Sequence, residues 1–154
     1  NAGGAGMSLA AAGDIVIAGE STRFTLAYTR VGLSPDGSST YFLPRLIGLR
    51  RTMELALTNR TISAREAENW GIVTRVVPDA EVAAQTESIA AELANGPTRS
   101  FGAVKRLLYA TANSTLDDQM ELETEAIADL ARSEDSREGI TAFLAKRPPT
   151  FKGR

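Results

Sequence analysis

The chain has 154 residues, 43% of them hydrophobic and 23% charged, with a net charge of −2. That is the balance of a globular domain, or of part of a larger protein, and it offers no broad basic field for nucleic acid. Histidine and cysteine are absent, which excludes thiol nucleophiles, Ser-His triads and the usual zinc sites. Proton transfer is left to Asp, Glu, Lys, Tyr or the backbone. No D-x-D-x-D-G loop points to an oxygen-ligated metal, so no metal is expected. No apolar run approaches the ~20 residues of a membrane span, so no membrane partner is expected either. Zero cysteine fits a reducing cytoplasm.

The chain opens at Asn1 without a Met, inside a glycine-rich stretch of the kind that follows a strand, and reads as the middle of a longer protein. Residues 3–13 are a glycine-rich entry into a helix of small residues, suited to close packing. "DIVIAGE", residues 14–20, is a β-branched run bounded by turn signals, a predicted buried strand. "TRFTLAYTRVGL" continues as a short strand or extended segment, and "LSPDGSST" is a turn. Residues 40–47 form a predicted short helix interrupted or begun near Pro44. A second helix over 49–57 ends at Asn59, a common C-terminal cap residue. "SAREAENWG" pairs Ser63 with Glu66 as a capping box and stops at Gly71; "IVTRVVP" is a short strand. Helices are then predicted from Asp79 to "NGP", over 97–112, over 116–133 and over 136–146, before the tail "KRPPTFKGR". The fold class is α/β, with an α/β portion over residues 1–78 and an all-helical portion over 79–154.

Two stretches could carry chemistry. The entry "NAGGAGMSLA" exposes unpaired N–H groups at the positive end of a helix, which suits an anion or oxyanion. On pattern alone, close packing is the commoner reason for such glycines. Asp36, between Pro35 and Gly37, is on residues alone an ordinary solvated turn acid. A functional Asp36 would need a pocket that raises its proton affinity. Trp70 reads as a packing residue. Asp117, Asp118, Glu121, Glu123, Glu125 and Asp129 spread round their helix as a solvated face. Lys146, Arg147, Lys152 and Arg154 make a basic tail that suits an anionic ligand or nothing specific.

In this order, "GGAGMSLAAAGDIVIAGESTRF", "VGLSPDGSSTYFLPRLIGLRRTMELALTNRTISAREAENWGIVTRVVP" and "EGITAFLAKRPPTFKGR" resemble the crotonase superfamily, the enoyl-CoA hydratase/isomerase family. The resemblance implies part of a ββα spiral followed by a helical oligomerisation region, in a trimer or hexamer. It implies an acyl-CoA thioester substrate with no other cofactor, and an enolate held by two backbone N–H groups. One donor maps to Ala5, with Gly4 and Gly6 beside it; the other falls in an N-terminal family segment that precedes Asn1, expected in the gene or as a companion chain. The two glutamates of the hydratases fall on Ser8 and Tyr28, neither acidic. A different branch, that of the 1,2-epoxyphenylacetyl-CoA isomerases of phenylacetate breakdown, places a catalytic aspartate where Asp36 stands. Ser38 and Ser39 occupy a place where that branch commonly has a second glycine. The expected activity is thus an acyl-CoA isomerase with Asp36 as its acid/base. The alternatives are a hydratase using another carboxylate such as Glu20, or a non-catalytic fragment. Phe143 and Lys146, on the last helix, are expected to approach CoA.

Overall fold

A computed structural model describes residues 1–154, and the chain divides into two compact units, residues 1–86 and 87–154. The boundary falls later than residue 78, inside a helix rather than at its start.

In the first unit, strand β1 (Ala2–Gly3) leads into helix α1 (Ala5–Ala11). The strand expected over 14–20 is only Ile17–Gly19 (β2), with Asp14 and Ile15 exposed. Strand β3 (Arg23–Thr25) runs parallel to β1 and antiparallel to β4 (Ile62–Ser63); β2 runs parallel to β5 (Arg75–Val77). Beyond β3 the chain does not stay extended. Ala27 takes a left-handed conformation (φ 55°), and Tyr28–Val31 coils into a 3₁₀ turn.

Helix α2 (Ser39–Thr58) carries its break at Gly48 (φ 78°, ψ 158°), which divides it where the sequence suggested two helices. Pro44 lies in the second turn of the first half, where it removes one N–H donor without ending the helix. Asn59 closes α2 in a left-handed conformation. Helix α3 (Ala64–Trp70) begins at Ser63, whose hydroxyl accepts from the Glu66 N–H, and ends at left-handed Gly71. Glu66 completes no reciprocal box, because its carboxylate pairs with Arg60. Met7, Phe24, Leu26, Leu43, Leu55 and Ile62 form the centre of the core, with Tyr28 and Trp70 packed against it.

The first unit ends with a 3₁₀ turn (Asp79–Glu81) and the opening residues of helix α4 (Val82–Ala94), within which the boundary falls. In the second unit, α5 spans Thr98–Ala110, α6 Leu116–Leu130 and α7 Glu134–Leu144. Thr115 and Asp118 form a full capping box at the start of α6. The helix predicted over 116–133 stops at Leu130 because Ser133 is taken by the next one: its hydroxyl accepts from the Ser136 N–H and caps α7. Asp118 in the cap and Asp129 paired with Arg99 are exposed, as a solvated face would have them. No helix is long and apolar enough to cross a membrane.

Candidate active site

Gly4 precedes α1 at φ 53° and ψ −121°, a backbone conformation that only glycine adopts without strain. Its own N–H donates to Thr25 O at 2.9 Å. Gly4, expected beside Ala5 as a donor, is therefore engaged in fold-making. The N–H groups of Ala5 and Gly6 have no protein acceptor and stand open at the head of α1. Ala5 is exposed.

One helical turn further on, Ser8 is fully buried. Its hydroxyl donates to the backbone carbonyl of Asp36 at 2.9 Å. The same carbonyl accepts from the Ser39 hydroxyl at 3.1 Å and, more weakly, from the Ser39 N–H at 3.4 Å. The Asp36 side chain is held separately: the Tyr28 phenol donates to Oδ1 at 2.6 Å. Ser8 Oγ and Tyr28 Oη are 3.3 Å apart. Each hydroxyl has one proton, and both are committed to Asp36, so that contact is packing rather than a third hydrogen bond. Oδ2 of Asp36 carries no hydrogen bond from the protein, and Asp36 is exposed. The enclosing pocket that the sequence reading asked for is not formed by these residues.

The turn is built for this contact. Gly37 has φ 59°, and a Cβ there would lie 3.0 Å from the Ser8 Cβ. Ser38 follows at φ 69°, a glycine-like conformation in a serine. Its hydroxyl bonds to Gly37 O.

The family resemblance placed Ser8 and Tyr28 only as non-acidic occupants of two positions. It missed that both grip Asp36, since Tyr28 reaches the turn only through the left-handed step at Ala27, which an alanine does not announce. Glu20, the alternative carboxylate, forms an exposed ion pair with Arg65 at 3.0 Å. Phe143 and Lys146 close α7 in the second unit, Phe143 83% exposed and Lys146 at φ 52°. Trp70 lies half-buried, with Arg51 and Arg60 over its ring at 4.8 and 5.4 Å. A cavity of about 320 Å³ is lined by Ala10, Val16, Phe24 and Asp79 among others. Its one acid is engaged, because Asp79 accepts from the Ser21 N–H and is held below the usual carboxylate range by hydrogen bonding to Ser21.

Residues 1–154 match, end to end, the family described as enoyl-CoA hydratase/isomerase. The chain belongs to that family. As a member of the enoyl-CoA hydratase/isomerase family, it is 44% identical to a "Probable enoyl-CoA hydratase" of Rhodobacter capsulatus over 99% of its length and 60% of the relative's. It is 43% identical to a 1,2-epoxyphenylacetyl-CoA isomerase of Escherichia coli, over 99% of its length and 58% of the relative's. The crystal structure of an enoyl-CoA hydratase/isomerase from Cupriavidus metallidurans superimposes on it with a TM-score of 0.92 at 34% identity, covering 99% of this chain and 57% of that one. The mixed α/β architecture with its helical C-terminal region is thus part of the crotonase fold. The chain spans about three fifths of the length of the curated relatives it matches.

Proposed function

We propose that the protein containing this chain is an acyl-CoA isomerase that moves a double bond, or rearranges a ring, in an enoyl-CoA thioester. The observation that carries the reading is the company Asp36 keeps. At the two positions where hydratases of the family place glutamates, this chain has Ser8 and Tyr28, and both donate hydrogen bonds to Asp36. Adding water across a double bond asks for one group to activate water and a second to deliver a proton. Moving a double bond asks for less. One carboxylate takes a proton from the carbon α to the thioester carbonyl and returns one further along the chain. The dienolate between the steps is held by backbone donors, of which the open Ala5 N–H is one. The kinship with a 1,2-epoxyphenylacetyl-CoA isomerase supports the same reading.

Hydration is the second reading, supported by the relative in Rhodobacter capsulatus named for it. One experiment separates them: follow double-bond migration and water addition on unsaturated acyl-CoA thioesters with the full gene product and with Asp36→Asn. Migration is expected in the native protein and to fall ~10²–10⁴-fold in the variant, the usual worth of a positioned acid/base. Equal rates would remove Asp36 from the chemistry, and water addition in place of migration would favour the second reading. The proposal extends to a homotrimer or hexamer in the cytoplasm, with exposed Phe143 and Lys146 approaching the CoA moiety.

A further inference from the structure

We propose that Tyr28 is a positioning residue for Asp36: its phenol fixes carboxylate oxygen Oδ1 so that Oδ2 alone carries the proton. The inference rests on the isomerase reading above. An aspartate on an exposed turn ordinarily samples several rotamers. A carboxylate that must lift a proton from one carbon and return it to another works only within hydrogen-bond reach of both. The 2.6 Å bond from Tyr28 removes that freedom on one side of the carboxylate, while Oδ2, on an exposed residue, has no protein partner.

Tyr28 is itself anchored independently of Asp36. The left-handed step at Ala27 aims it, and its ring packs against the core. Its 3₁₀ turn is tied to the end of α2 by three bonds. Thr29 Oγ1 donates to Ala56 O at 2.9 Å, Asn59 Nδ2 donates to Thr29 Oγ1 at 2.6 Å, and the Arg30 guanidinium donates to Asn59 O at 2.9 Å. Ser8 meanwhile fixes the backbone of the Asp36 turn. Backbone and side chain of the acid are therefore held from two different elements. In the reaction the substrate proton passes to Oδ2 and from Oδ2 to the second carbon; Tyr28 keeps its own proton throughout.

The test uses the full gene product as Tyr28→Phe, alone and combined with Asp36→Asn. Tyr28→Phe is expected to lower kcat for double-bond migration on the order of 10- to 100-fold, the range that a misplaced reacting group costs, with KM unchanged. The loss should vanish when Asp36 is already Asn. A tyrosine that merely supports the fold would cost the same factor in both backgrounds, and that result overturns the proposal, as does a native rate in Tyr28→Phe. Crystals of Tyr28→Phe supply a readout that needs no turnover. The Asp36 carboxylate should occupy more than one rotamer over an unmoved backbone at residues 35–38, and a single unchanged position refutes the positioning role. If Asp36→Asn alone leaves the rate intact, Asp36 is not the acid/base of the isomerase reading, and the rotamer result still decides Tyr28.

Discussion

At Gly37 the backbone takes φ 59° while its Cα lies against the buried Ser8, so a side chain there would be both strained and crowded. Gly37→Ala should therefore destabilise the protein by more than ~1 kcal/mol, the cost of a left-handed alanine, and slow turnover because Asp36 moves with its neighbour. A urea titration together with an isomerisation assay checks both; native behaviour in the two would show the turn to be looser than its geometry. The signal at this position was visible in the sequence, because Pro35-Asp36-Gly37 is turn chemistry. What surrounds it was not. Ser38 takes φ 69° with no glycine to announce it, and Ala27 takes φ 55° in what reads as a strand. Local propensity favours neither, so the pairing of Tyr28 with Asp36 is a product of tertiary packing.

Helix α7 illustrates the same division one level up. Its existence was legible in the sequence, as a short helix over 136–146, but its start depends on which neighbour claims Ser133, a competition between two helix ends. The tail beyond it reads as free basic charge, yet it is strapped to the helix. Arg147 forks onto both oxygens of Glu138 at 2.7 and 2.8 Å, and the Thr150 N–H adds a bond at 2.9 Å. Asp135 accepts from the Lys152 and Gly153 N–H groups at 2.7 and 2.8 Å and donates its own N–H to Arg154 O at 3.0 Å. The Arg147 side chain, then the Thr150 amide, draw the Glu138 carboxyl down from 4.5 to about 2. A carboxylate depressed in the folded state binds protons more weakly there than when unfolded. Its contribution is complete above pH 4.5 and is lost as pH falls from there towards 2. The protection of the Thr150 amide, its exchange rate compared with that of an unstructured chain at the same pH, should fall away across that window in the native protein. In Glu138→Gln it should be lost already at neutral pH; unchanged protection there would mean the strap does not depend on the ion pair.

At the scale of the whole molecule, β3 is the central strand of the first unit's three-stranded sheet, with Phe24 2% exposed between its partners Ala2 and Ile62. Phe24→Ala should cost about 3–5 kcal/mol through lost burial and a residual cavity, lowering the unfolding midpoint on the order of 10 °C. Calorimetry reads this directly, and a shift of only a degree or two would show that the core refills. Since β3 runs on into the turn bearing Tyr28, that loss should reach the candidate site as well. The α/β class and most helices were readable from periodicity and caps, whereas strands of two or three residues are too short to carry a period. Helix α1 has a consequence of its own. It holds the open Ala5 N–H at its head and, three residues along, the serine that grips the acid's turn. The helix therefore acts as a gauge block: the offset between the open Ala5 N–H and the serine that holds the Asp36 turn is inherited from helical rise, about 4.5 Å along the axis for three residues. Loops around it can vary in length and sequence while that spacing stays fixed.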